Sequence, residues 1–216
     1  MLKLSRVMVT VAVVPMLLAL PATAAARHRP RPAPTCKRIA GKHPAAASRG
    51  VYVFQASSGN FKVCSGRGKV RTLPNQDGGM TNELGQFVIA GNYLAWDDTE
   101  LINPAAPVDD YVSVMSVTTG RLTINQAFAW PDQNTGNNNA SVSGIVLAPD
   151  GSVAWLSGLS ATGGGPTTSY SVVRIGSDGT QSTLAQGTNI TGLTASPDGA
   201  TVSWTNNGVP GSAPLA

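Results

Sequence analysis

The chain has 216 residues, 42% hydrophobic and 12% charged, with 15 Lys/Arg against 11 Asp/Glu and a net charge of +4. That average hides a division: residues 1–76 hold 13 Lys/Arg and no acid, whereas 77–216 hold only Arg121 and Arg174 with all 11 acids. A basic stretch without interleaved aromatics on an acidic remainder excludes a nucleic-acid binder, and its asymmetry fits a protein or an anionic envelope polymer as partner.

The first segment reads as a secretory signal peptide. Lys3 and Arg6 precede the apolar run Val7–Leu20, and small residues follow through Ala26, the layout of a cleavable leader. The run has 14 residues and contains Pro15, whereas a spanning helix needs ~20. No second run of anchor length follows, so no stable membrane span is expected after cleavage, and the expected location is extracytoplasmic.

Residues 27–50 read as a basic arm. Arg27-His28-Arg29-Pro30-Arg31-Pro32 alternates cations with proline, which fixes an extended backbone. The only histidines, His28 and His43, lie here without partners in view. Cys36 and Cys64 are the only cysteines. Two cysteines in an exported chain are expected to pair, with two free thiols as the alternative. Closing a loop of roughly 29 residues stabilises by ~3–4 kcal/mol.

From Val51 onward, short apolar runs alternate with Gly, Asn, Asp and Pro turns, the pattern of an all-β domain over 51–208. One strand recurs four times: Val51-Tyr52-Val53-Phe54, Tyr93-Leu94-Ala95-Trp96, Ser152-Val153-Ala154-Trp155 and Thr201-Val202-Ser203-Trp204. The last three follow another apolar run and a turn, and the first three precede two further strands joined by Gly-containing turns. Each unit is thus about four short antiparallel strands, the mark of a propeller blade. Residues 209–216 read as a flexible tail.

The turn Ser196-Pro197-Asp198-Gly199, followed by a strand ending in Trp204, resembles the repeat of TolB-type propellers, repeats of a WD-like kind. Ala148-Pro149-Asp150-Gly151 is a near match. The resemblance spans 51–208 by pattern and two of the four units by motif. It implies a propeller-like array of about three four-stranded antiparallel blades, incomplete or closed by association; a β-sandwich is the alternative. Trp96, Trp155 and Trp204 share one repeat position and are expected between blades. Trp130 breaks the pattern and is expected to cover an edge or mark a surface contact.

Thirteen strands can be read, too few for a closed ring. An open arc leaves its end faces to be covered by a second copy, by the Cys36-tethered arm or by a partner; a homodimer is the expected route.

Candidate chemistry is sparse. Asp97, Asp98, Glu100, Asp109 and Asp110 cluster within 14 positions. They are the one candidate set of oxygen ligands for a cation such as Ca²⁺, but the reading preferred over a cation site is a solvated loop between two strands. Asp132–Gly136 fails the EF-hand spacing. Gly163-Gly164-Gly165-Pro166 lacks the Lys-Ser/Thr of a phosphate loop. G-x-S-x-G is absent, so no catalytic residue and no cofactor is assigned. The expected function is an exported non-catalytic binding or interaction module; the alternative is an extracellular hydrolase or lyase on a propeller scaffold.

Overall fold

The computed structural model describes residues 35–66, 69–74, 83–100, 109–130, 138–161 and 167–216. The leader over 1–26, the proline-alternating stretch with His28, and the segments Asp132–Gly136 and Gly163–Pro166 lie outside these residues.

Among the described residues fifteen strands and one short helix follow in order. The first unit comprises α1 (Cys36–Ala40), β1 (Ala46–Ser48), β2 (Val51–Gln55), β3 (Phe61–Ser65) and β4 (Lys69–Thr72). The second holds β5 (Glu83–Ala90), β6 (Tyr93–Glu100), β7 (Asp109–Ser116) and β8 (Leu122–Phe128). The third holds β9 (Asn138–Leu147), β10 (Val153–Ala161), β11 (Thr167–Ile175) and β12 (Gln181–Gly187). The fourth holds β13 (Ile190–Ala195), β14 (Thr201–Asn206) and β15 (Val209–Pro214).

Within each unit the strands form an antiparallel meander in chain order. Among the described residues one parallel pair, Asp109 with Ala140, is the only strand pairing between the second and third units. The architecture is therefore all-β and propeller-like, with three four-stranded blades and a fourth of three strands; the strands do not stack as a two-sheet sandwich. Two segments read as part of the arm and as tail are strands. Ala46–Ser48 pairs with β2, and Val209–Pro214 pairs with β14, followed by a fully buried Leu215.

Strand alternation explains the packing. Residues two apart share a face, so the second strand of each blade presents alternate residues to its two neighbours. Trp96 and Leu94 pack with Val53 and Val63 between blades one and two. Trp155 and Val153 pack with Ala95 and Val114 between blades two and three. Trp204 and Val202 pack with Ala154 and Leu156 between blades three and four. The recurring tryptophan thus always faces the preceding blade, and Trp130 packs on the core between blades two and three. Three apolar cores join four blades, and among the described residues no core cluster joins the first to the fourth. The arrangement is an open arc.

The two end faces differ from the apolar surfaces expected of an open arc. In the first blade Phe54 occupies the tryptophan position, and Tyr52 shares its face. Cys64 lies opposite Tyr52 in the β2–β3 register, so it occupies that same face. Cys64 bonds to Cys36 across 5.4 Å between Cα atoms. Helix α1 is thereby held where a preceding blade would pack. In the fourth blade the outward positions of β14 are Thr201, Ser203 and Thr205, opposite Pro214, Ser212 and Pro210. Ser203 is exposed where the equivalent Val53, Ala95 and Ala154 are buried. Pro210 and Pro214 lack the N–H that an edge strand would offer a neighbour.

Candidate functional site

The connections 49–50, 91–92 and 117–121 lie at one end of the blades together with the motif turns, and the acidic cluster lies toward the other end.

The acidic residues are not a solvated loop. All five belong to β6 and β7, where Thr99 pairs with Asp110 and Glu100 with Asp109. Asp97, Asp98 and Asp110 are buried. Asp97 and Asp110 lie on the blade-two face that meets blade three, together with Ala95 and Val112; Asp98, two residues from Trp96, lies on the opposite face. Asp110 accepts from Thr99 Oγ1 at 2.6 Å and from the Val142 N–H at 2.8 Å. Gln86 Nε2 donates to the Val142 carbonyl at 2.8 Å. Both backbone groups of Val142, on the innermost strand of blade three, are therefore satisfied by side chains of blade two. Burial pushes the Asp110 carboxyl above its usual range. Burial, reinforced by the charges of Asp110 and Asp98, pushes Asp97 up to about 6. Among the described residues no group of three or more His, Cys, Asp or Glu is arranged to hold a metal ion. His43 is exposed.

The motif turns are self-contained. Asp198 accepts from Ser196 Oγ and the Ala200 N–H, at 2.6 and 3.0 Å. Asp150 binds the N–H and hydroxyl of Ser152, at 2.9 and 3.0 Å; Asp178 binds Thr180 in the same way. These hydrogen bonds hold Asp198 and Asp178 below the usual carboxylate range. They are the side-chain-to-backbone bonds that make Asp a turn residue. The glycine of the motif has a packing reason too. A Cβ at Gly199, φ +75°, would stand 2.6 Å from Pro149 Cδ, so blades three and four meet at that glycine.

Around these turns the innermost strands of all four blades converge. A cavity of about 190 Å³ is lined by Arg49, Ala90, Leu147, Pro149 and Ala195 among others. Beside it, between the turns of blades one and two, lies a groove of about 620 Å³ whose lining includes Arg49, Lys69, Ser65, Gly91, Asn92 and Thr118. Neither lining contains a carboxylate. Arg71, by contrast, is committed to structure, donating to the Thr118 carbonyl at 2.8 Å.

Sequence reasoning missed Gln86, Thr99 and Arg49. Gln86 sits in a bulge with φ +42°, which no local pattern announces. Arg49 had a signal: Arg49-Gly50 between Ala46-Ala47-Ser48 and Val51-Tyr52-Val53 has the length of a two-residue hairpin.

No protein-family model matches the chain, and no curated protein resembles it in sequence. Among solved structures it is similar to the β-propeller domain of the Trilobed protease from Pyrococcus furiosus, with a TM-score of 0.41 at 10% identity over 58% of this chain and 34% of that one. It is similar to the acylaminoacyl peptidase of Pyrococcus horikoshii, with a TM-score of 0.41 at 10% identity over 57% and 17%. It is similar to a protein from Lactobacillus plantarum, with a TM-score of 0.34 at 15% identity over 77% and 52%. The chain thus spans about half of the longest-covered of these neighbours and a sixth of the least covered.

Proposed function

We propose that this protein is an exported, non-catalytic binding module that attaches to an anionic polymer of the cell envelope through its first blade. One observation carries the reading. The described residues 35–66 and 69–74 contain Lys37, Arg38, Lys42, Arg49, Lys62, Lys69 and Arg71 and no Asp or Glu. Five of these, Lys37, Arg38, Lys42, Arg49 and Lys69, are exposed. Clustered like charges raise the local concentration of an opposite polymer and speed its capture. The disulfide fits an oxidising, extracytoplasmic setting, and no helix among the described residues is long and apolar enough to cross a membrane. The hydrogen bonds of Asp110 and Gln86 to Val142 give those residues a structural task, which favours binding over chemistry.

The test is retention of the disulfide-intact chain on immobilised polyglycerol phosphate, with a neutral glucan matrix as control. Retention on the anionic matrix alone supports the reading; equal passage through both defeats it.

A second reading, an extracellular hydrolase or lyase, is favoured by the placement of Asp97 and Asp110 on one blade face and by the raised Asp97 carboxyl. A broad hydrolase screen separates the two. Turnover abolished by Asp97→Asn at unchanged stability would put catalysis in place of binding.

A further inference from the structure

We infer that the groove between the turns of blades one and two is a binding site for phosphodiester groups, with Arg49 and Lys69 as its cationic contacts. The inference deepens the function proposed above and rests on it, naming the residues and the ligand chemistry.

Four observations converge. The first is concavity with one sign of charge: the groove of about 620 Å³ is lined by Arg49 and Lys69 and by no carboxylate. The second is availability. Among the described residues the Arg49 and Lys69 side chains make no hydrogen bond or ion pair, whereas Arg71 and Arg174 are spent on the carbonyls of Thr118 and Leu215. The neighbouring carboxylates of Asp150 and Asp198 are occupied by their own turns.

The third is the backbone at Arg49. It has φ +45° and is followed by Gly50 at φ +83°, in the two-residue turn that joins Ser48 to Val51. That pair of positive φ angles favours Asn, Asp or Gly at the first position. The same chain uses Asn207-Gly208, φ +50° and +81°, in another two-residue turn with the same signs of φ, between β14 and β15. Arginine at residue 49 is thus a conformationally disfavoured choice whose side chain lines the groove, the kind of local strain that collects at functional positions.

The fourth is position. Arg49 also lines the axial cavity of about 190 Å³, so it stands where the groove meets the centre of the arc. A guanidinium with five donors suits the oxygens of a phosphate, and a lysine adds a flexible point charge beside it. Successive phosphates of a polymer would occupy the two cations in turn.

The test is calorimetric titration of the full, disulfide-intact chain with polyglycerol phosphate at low salt. Poly-glutamate serves as the carboxylate control and phosphatidylglycerol vesicles as the lipid arm. Arg49→Asn removes the charge while supplying the residue that this turn prefers, so its melting temperature should equal or exceed that of the parent. Arg49→Asn and Lys69→Gln are each expected to weaken binding by up to about fivefold, the weight of an exposed charge pair. Together they should weaken it by about tenfold or more, with Lys37→Gln, a blade-one cation outside the groove, expected to weaken it by less than either groove variant. Polymer binding by the double variant at parental affinity would overturn the site while leaving the proposed function standing on the other cations of blade one. Equal binding of poly-glutamate, or binding to vesicles and not to the free polymer, would overturn the phosphodiester assignment. No binding by the parent to any of the three would defeat the proposed function itself.

Discussion

Two tryptophans at one repeat position should respond differently to the same substitution. Trp96 and Trp155 are both fully buried between blades. Trp155 Nε1 donates to the Ala129 carbonyl at 2.7 Å, whereas the buried Trp96 Nε1 has no hydrogen-bond partner among the described residues. Replacement by Phe removes similar ring volume at both sites. At residue 155 it also leaves the Ala129 carbonyl without its donor, a penalty of about 1–3 kcal/mol; at residue 96 it removes an unsatisfied buried donor and regains a similar amount. The shared volume loss cancels in the comparison. Trp155→Phe should therefore be less stable than Trp96→Phe by about 2–6 kcal/mol. For a domain of this size that separates the two melting temperatures by roughly 4–24 °C. Thermal unfolding of both variants with the disulfide intact measures it. Equal losses, or a larger loss at residue 96, would refute the hydrogen-bond argument.

Acid titration reads the buried carboxylates. Burial lets Asp97 hold its proton to about pH 6 in the folded chain, against 3.8 for a solvent-exposed aspartate. Between those values the folded state binds more protons than the unfolded one, so stability should fall as pH rises from 4 to 6 and level off above; Asp110 acts in the same direction. Asp97→Asn should flatten that slope and raise the melting temperature at pH 7, and a parental slope in the variant would put the titration elsewhere. Reducing Cys36–Cys64 should cost ~3–4 kcal/mol and free α1 from the Tyr52 and Phe54 face. Light scattering after gel filtration should then show a monomer when oxidised and association when reduced; association of the oxidised form would mean that the end faces are not covered. Leu215→Ala should destabilise by about 2–5 kcal/mol, measured by denaturant unfolding, because Leu215 is fully buried; a loose tail would give no effect.

The blades were legible where strand chemistry is local. Tyr-Leu-Ala-Trp and Ser-Val-Ala-Trp alternate and end on an aromatic, and Pro-Asp-Gly marks the preceding turn. The strands that escaped notice have the wrong composition. Ala46-Ala47-Ser48 lacks β-branched and aromatic residues, and Val209-Pro210-Gly211-Ser212-Ala213-Pro214 carries the Pro and Gly of a loop. Both are held by pairing with a neighbour rather than by propensity. That pairing raises the blade count to four and explains the missing strands. The homodimer expectation rested on apolar end faces, and the register supplies instead a helix on one and Thr, Ser and Pro on the other. The burial of Asp97 was equally invisible. It depends on Gly85 lying opposite, where a Cβ would stand 3.1 Å from Asp97 Oδ1, and on Asp110 meeting a strand 32 residues away. Arg49 was read as part of the arm because its turn becomes visible only once Ala46–Ser48 is a strand.

The central claim is that a cationic first blade binds an anionic polymer, and the salt dependence of that binding tests it most directly. Affinity for polyglycerol phosphate should be measured from about 50 to 200 mM salt. If several Lys and Arg displace counterions on binding, the logarithm of the association constant falls linearly with the logarithm of salt concentration, with a slope set by the number of cations engaged. The account expects a slope that shrinks by about one for each cation removed from blade one. An affinity independent of salt, or a slope unchanged when Arg49 and Lys69 are replaced together with Lys37, Arg38 and Lys42, would contradict it.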